Sequence, residues 1–370
     1  MLDASLYALR GMDTIETPQL VYYRDLIEAN TRYAISLAGD AGRLWPHVKS
    51  HKMADMIRMQ MDMGIRRFKC ATIAEAQMVA ECGAAHVAIA YPLVGPNIAR
   101  FAVLMRTYPD TAFYAIGDDI TQLSMLSDHL SQEGLRANTL IDVNMGMNRT
   151  GTPLEDVQAL YAQCAAMDGL SLCGLHCYDG HLHDPDLDTR IQRSQAATDR
   201  AFAICDALRK EGHACEILIM GGTPTFPVHA RHKGVFLSPG TIFLSDIKCL
   251  RNAGDLKITP AAGIWTRVVS HPAPGQFTLD LGSKGISTDQ ADGRGVIAGL
   301  EAAQPLFQSE EHWVWKMPEG EPIPAIGDMF FVVPLHICPA TALYPFALVA
   351  SGGEIVSRWN VTARNRNIGI

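Results

Sequence analysis

From about residue 20 to residue 245 short apolar runs alternate with helix-patterned ones, and this alternation is what most limits the fold. The strand-like runs cover residues 44–50, 67–71, 86–91, 111–116, 139–144, 171–178, 216–220 and 235–237. Helical patterns fill residues 54–63, 73–82, 96–108, 120–133, 153–167 and 187–211. Gly64, Gly83, Gly134, Gly169 and Gly212 fall where those helices should stop. Eight strands spaced by ~20–45 residues predict a (β/α)8 TIM-type barrel. An open doubly wound sheet is the competing architecture, but no GxGxxG follows the first strand.

Past residue 250 the helical periodicity fades. Short β-rich runs at residues 263–270, 276–281, 312–317, 328–334, 346–350 and 354–362 are separated by Pro and Gly clusters. The chain therefore reads as a barrel over residues 15–248 followed by a mostly antiparallel β domain over 249–370, joined by residues 1–14.

Composition narrows the function classes. The chain of 370 residues carries a net charge of −8, with no long basic run, which argues against nucleic acid or anionic membrane as partner. No stretch of ~18 apolar residues is present to span a membrane. The start, Met1-Leu2-Asp3-Ala4, lacks the build of a signal peptide, so the sequence reads as cytoplasmic. Nine cysteines are scattered without a CxxC, most of them in apolar segments, as reduced core thiols are.

Polar residues at the C-terminal ends of the strands are the candidates for chemistry. The first is Pro46-His47-Val48-Lys49-Ser50-His51-Lys52. In an extended strand His47, Lys49 and His51 share one face, and a lysine flanked there by two imidazoles loses its proton more readily than a surface lysine. A neutral amine is what forms a Schiff base with a carbonyl such as pyridoxal phosphate. A basic strand end at the surface is the other reading. Gly221-Gly222-Thr223 and Gly240-Thr241, after the seventh and eighth strands, stand where a barrel grips a phosphate. Tyr178 could stack on a cofactor ring, and Arg149 could bind a carboxylate or a cofactor oxygen. His181 and His183 alternate with Leu182 and could be bases or surface loop residues.

The last constellation lies in the β domain. On a strand His336 and Cys338 point to the same side at a spacing suited to one ion. Imidazole plus thiolate favours Zn²⁺, and two protein ligands leave an open site. A buried cysteine beside an unrelated histidine is the alternative.

Together these residues resemble the fold-type III pyridoxal-phosphate enzymes, the alanine racemase-like group. Within it they look like the branch of D-threonine aldolase, D-3-hydroxyaspartate aldolase and eukaryotic-type D-serine dehydratase. Thr17-Pro18-Gln19-Leu20-Val21-Tyr22 is similar to that family's opening strand, the Lys49 segment to its cofactor lysine, and His336-x-Cys338 to its metal pair. The resemblance implies that Lys49, His47, Arg149, Tyr178, Gly221, Gly222, Thr223, Gly240 and Thr241 hold pyridoxal 5'-phosphate. Lys49, His51 and His181 are the candidate catalytic residues, and His336 and Cys338 would bind Zn, Mn or Mg. Trp45 departs from the family, where an arginine often precedes the Pro-His pair. His-x-Cys is the metal pair of the dehydratases, where some bacterial aldolases carry His-x-Asp. The implied function is a lyase of D-3-hydroxy amino acids, D-threonine aldolase first, then D-serine or D-3-hydroxyaspartate dehydratase. A racemase and a non-catalytic pyridoxal-phosphate protein are further alternatives. The family also implies a homodimer whose sites form between one barrel and the partner's β domain.

Overall fold

Past an opening strand β1 (Gln19–Tyr23) and helix α1 (Arg24–Ala38), seven parallel strands pair in the order in which they occur. They are β2 (Arg67–Cys70), β3 (His86–Ile89), β4 (Ala112–Gly117), β5 (Ala137–Asp142), β6 (Leu170–Cys177), β7 (Ile217–Met220) and β8 (Val235–Leu237). The helices of this region are α2 (Ala54–Asp62), α3 (Ile73–Glu81), α4 (Pro96–Thr107), α5 (Ile120–Gln132), α6 (Val157–Ala165), α7 (Leu187–Lys210) and α8 (Phe226–His229). This is a computed structural model, and it describes residues 2–370. It divides into two compact units, the TIM-like barrel unit being residues 34–240 with 252–255 and 365–370.

The strands are mostly buried on both faces, as parallel strands covered by helices are. Local chemistry starts and stops the helices. Asp119 accepts the N–H groups of Thr121 and Gln122 to open α5, and Thr72 accepts that of Glu75 to open α3. Gly83, at φ +83°, follows α3 in the left-handed region that ends a helix. Gly169 has a different role: α6 already ends at Ala165, and the missing Cβ lets the Ser127 carbonyl approach.

The expected first strand, residues 44–50, is corrected. Only Leu44 and His47 form bridges, to Leu237 of β8 and Lys69 of β2, and these close the ring of seven strands. Val48–Ser50 winds into a 3₁₀ turn. Side chains compete with the ladder here: His47 Nδ1 accepts the Lys49 N–H at 3.4 Å and Ser50 Oγ donates to the His47 carbonyl at 3.1 Å. Trp45, fully buried, packs with Ala88, Tyr114, Ile116, Leu140 and Ile219 inside the barrel. The residue that replaces the family's arginine is thus an apolar plug, and truncating it to Ala would cost about 3–5 kcal/mol.

The second unit comprises residues up to 33, 241–251 and 256–364. After α9 (Ile247–Asn252) its strands are β9 (Ala262–Ser270), β10 (Gln276–Leu279), β11 (Gly295–Ile297), β12 (Gln304–Gln308), β13 (Trp313–Lys316) and β14 (Met329–Pro334). Helix α10 (Ile337–Leu343), β15 (Phe346–Ser351) and β16 (Glu354–Asn360) complete it. The sheet runs β12-β13-β10-β9-β1-β15-β16, with β14 bonded to β9 and β11. It is antiparallel except for β1 beside β15. The sequence places residues 17–22 in the barrel region, but β1 sits inside this sheet, its last four residues buried. Trp265 Nε1 donates to Tyr23 Oη at 2.9 Å, and Tyr7 stacks on Phe331 with centroids 4.3 Å apart, so the N-terminal residues share this unit's core.

Candidate functional site

Lys49 lies on the 3₁₀ turn, half-buried, with Nζ 5.9 Å from the centroid of the Tyr178 ring. The turn corrects the shared strand face expected of His47, Lys49 and His51. His47 caps the turn and is buried. Desolvation, then the charges of Lys49, Lys69, His176 and Lys52, hold its imidazole well below the usual range. His51 points into the core: Nδ1 accepts the Met53 N–H at 3.1 Å, and Nε2 is buried without a partner. Burial, aided by Lys52, pushes His51 down to about 3. In this structure His51 is sealed from solvent and braces the backbone at Met53. Lys52 adopts φ +58° and forms an ion pair with the fully buried Glu75.

Tyr178 is where the charges meet. Lys69 Nζ lies 4.9 Å and Arg149 Cζ 5.6 Å from its ring centroid, and His176 stacks parallel to it at 6.5 Å. Lys69, His176 and Asp142 are buried residues that sequence reasoning missed. Lys69 donates to Ser238 Oγ at 2.7 Å and lies 3.5 Å from His176 Nε2. His176 Nδ1 meets Asp142 Oδ1 at 2.7 Å, so its proton belongs on Nδ1 and Nε2 faces the amine as acceptor. Burial first, then Lys49 and Arg149, push Lys69 down to about 7, against the pull of Asp142 and Asp179. Burial also lowers His176, despite Asp142. The available signal was a lysine between Phe68 and Cys70 in the interior of a short barrel strand, Arg67–Cys70.

The first glycine turn comes to the same ring, and the second to His47. A Cβ on Gly222 would stand 3.5 Å from Tyr178 Cε2, and one on Gly240 would stand 3.3 Å from His47 Cβ. The Gly222 N–H is already used, shared between Asp179 Oδ1 and Thr225 Oγ1. Thr223 is buried beside it. Thr241, the residue after Gly240, belongs to the second unit, where its hydroxyl lies 3.6 Å from Cys338 Sγ.

The histidine loop is also corrected. Leu182 N–H bonds to the Asp179 carbonyl, so residues 179–182 form a turn, and His181 and His183 do not share a strand face. His183 is exposed. His181 is half-buried against Gly146, its Nδ1 without a partner, and desolvation lowers its pKa.

These residues suit a phosphate-bearing aldehyde. Among the described residues neither Lys69 nor Arg149 forms an ion pair with a carboxylate, so Arg149, and Lys69 when protonated, can pair with an anion beside the phenol ring. Gly222 lies against the ring with no Cβ, and Lys49 supplies a second amine.

In the second unit the expected strand ends at Pro334, and His336 is the N-cap of α10. Pro339 in the first helical turn explains the change, since its fixed φ suits a helix start. The two side chains remain neighbours at the start of the helix, and Cys338 acts on the His336 imidazole. His336 Nδ1 lies 2.6 Å from Asp289 Oδ2. Burial alone lowers His336, but Cys338, Asp289 and Asp246 outweigh it and push it up to about 9. Asp246, pushed up to about 6 by burial, accepts the Ile337 and Cys249 N–H groups. Among the described residues no group of three or more His, Cys, Asp or Glu side chains surrounds a point. An imidazole backed by a carboxylate, next to a thiol, is nevertheless a donor set that fits an open divalent-metal site.

Comparison with known proteins agrees with this fold. The alanine racemase N-terminal domain model matches residues 23–245, and a putative serine dehydratase domain matches residues 261–350. The chain is 28% identical to D-threonine aldolase of Arthrobacter sp, over 95% of this chain and 93% of that one. It is 27% identical to 3-hydroxy-D-aspartate aldolase of Paracoccus denitrificans, over 97% of this chain and 95% of that one. The crystal structure of D-threonine aldolase from Filomicrobium marinum superposes with a TM-score of 0.86 at 29% identity, covering 95% of this chain and 97% of that one. With more than half of its length matched by one family model, and a barrel built as that family's is, the chain belongs to the alanine racemase N-terminal domain family, the fold-type III pyridoxal-phosphate group.

Proposed function

We propose that this chain is a pyridoxal-phosphate- and divalent-metal-dependent lyase of D-3-hydroxy amino acids, cleaving D-threonine to glycine and acetaldehyde. The observation that carries the reading is the gathering of Lys49, Lys69 and Arg149 over Tyr178. Full-length similarity to two aldolases supports the aldolase within the lyases.

Lys49 would hold the cofactor's aldehyde carbon, the turns at Gly221–Thr223 and Gly240 its phosphate, and Tyr178 its ring. When bound, the cofactor supplies an electron-withdrawing ring that stabilises negative charge on the substrate's Cα. Arg149, exposed at the rim, is the group suited to a substrate carboxylate. Lys69 adds positive charge on the buried side, and its bond to Ser238 keeps the amine in place. His336 and Cys338 would hold the metal, whose Lewis acidity favours loss of a hydroxyl proton. Asp289 orients the His336 ring for that task. In aldol cleavage the proton leaves the β-hydroxyl, and His181, half-buried with an Nδ1 that no protein group occupies, is the candidate to accept it.

Dehydration is the second reading, favoured by the His-x-Cys pair and the putative serine dehydratase domain that carries it. It starts from loss of the α-proton instead. Incubation with D-threonine separates the two. Glycine with acetaldehyde supports the aldolase. 2-Oxobutyrate with ammonia replaces it by the dehydratase. A protein that binds no pyridoxal phosphate and forms neither product sinks both.

A further inference from the structure

We propose that Asp179 and His229 are positioning residues that set the Gly221-Gly222-Thr223 turn in shape for a phosphate monoester. The proposal rests on the reading of that turn as the phosphate cradle.

Asp179 follows Tyr178 in the loop after β6, and its side chain is fully buried. Its Oδ1 accepts the Gly222 N–H at 3.2 Å and the Thr225 hydroxyl at 2.9 Å. Its Oδ2 accepts from His229 Nε2 at 2.6 Å, and His229 Nδ1 meets Thr198 Oγ1 of α7 at 2.7 Å. Asp179, Thr225, His229 and Thr198 are all sealed from solvent. A polar cluster this deep is costly to desolvate, and no strand pairing requires it.

What it does is visible in the spacing. The His229 ring supports the turn from below: a Cβ on Gly221 would stand 3.0 Å from its Cδ2, and Gly221 itself sits at φ +82°. Thr225 takes the same Gly222 N–H that Asp179 takes, so the inward side of the turn is fixed from two directions. Asp179 directly follows Tyr178, so the carboxylate that holds the turn also anchors the loop carrying the ring against which Gly222 packs.

The test compares the affinity of the full-length apo protein for pyridoxal 5'-phosphate with that for pyridoxal, which lacks the phosphate. In His229→Leu and Asp179→Asn the preference for the phosphorylated form should fall on the order of tenfold or more, while pyridoxal affinity is unchanged. His229→Gln, which keeps a donor for Asp179, should restore most of it. The ³¹P resonance of bound cofactor should shift in the two disruptive variants. If affinity for both compounds falls equally, in step with Tm, the pair is merely structural and the proposal fails. An unchanged preference in folded variants also overturns it. Where His229→Leu does not fold, Thr198→Val decides: it leaves the Asp179–His229 bond and should move the preference in the same direction, and an unchanged value counts against the proposal. A wild-type protein that binds both compounds equally overturns the reading of the turn itself, and the proposal with it.

Discussion

Lys69 Nζ donates to Ser238 Oγ at 2.7 Å, joining the first strand of the parallel sheet to the turn that follows its last. Ser238 Oγ passes the contact on to the Gly221 carbonyl at 3.0 Å. A buried lysine thus links strand β2 to both glycine turns, and its partner is a hydroxyl, not a carboxylate.

Burial of this amine gives a pH signature. Lys69 is pushed down to about 7, whereas an unfolded lysine titrates near ~10.4. Between those values the unfolded chain binds a proton that the folded one does not, so stability rises with pH there; at lower pH the whole penalty is present. Lys69→Met removes it. The stability of the variant relative to wild type should therefore be highest at or below pH 7, and should decline by up to about 1.4 kcal/mol per pH unit toward pH 9.5. Urea unfolding at pH 7 and pH 9 measures this. A difference that does not vary with pH refutes the assignment.

Two amines lie over the Tyr178 ring, and only one should carry the cofactor. Lys49→Ala should abolish the visible absorbance of the purified protein and lower turnover by at least about a thousandfold. Lys69→Met should keep the band. Borohydride reduction followed by peptide mass mapping should find the label at Lys49; a label at Lys69 would reverse the roles.

The metal pair predicts sensitivity to chelation. EDTA treatment should remove activity on D-threonine, and added divalent metal should restore it. His336→Ala should empty the site by elemental analysis, and Asp289→Asn should weaken metal affinity roughly 10-fold by loosening the ring. Full activity after EDTA, together with an inert His336→Ala, would show that the pair binds no catalytic metal.

Gly221 and Gly83 have nearly the same φ, +82° and +83°, but differ in their surroundings. A Cβ at Gly83 meets nothing within 4 Å, whereas one at Gly221 comes within 3.0 Å of His229 Cδ2 and Phe226 Cα. Gly83→Ala should cost about 1 kcal/mol through backbone strain alone, and Gly221→Ala should lie at or beyond the upper end of ~1–3 kcal/mol. Equal losses in parallel urea titrations would mean that the turn relaxes freely.

Much of the framework was legible because it is local. Strand β8 lies where the apolar run at residues 235–237 put it, and α5 begins after Asp119 because the capping chemistry is contained in a few consecutive residues. Errors arose where a local rule met a competitor. Residues 48–50 have strand-like composition, yet His47 and Ser50 side chains bond to the backbone and wind them into a turn. Strand β12 was missed because Leu306 and Phe307 are exposed and Pro305 interrupts the run, so no alternation of buried and exposed residues marks it. His336 and Cys338 were placed on a strand, whereas Pro334 ends the strand and the two residues span the cap and first turn of a helix.

The sequence by itself determined the alternation of strands and helices, the change of texture after residue 250, the lysine segment and the metal-type pair, because periodicity and residue chemistry are properties of neighbours. Only the tertiary structure decided which charges share a space. Lys69 reaches Ser238 across 169 positions, His176 reaches Asp142 across 34, and His229 reaches Asp179 across 50. No local pattern encodes those meetings, since they follow from closing a barrel that brings distant strand ends around one ring, Tyr178. Lys49 was singled out for sharing a strand face with two histidines; it remains the residue to test because the closed barrel sets it over that ring.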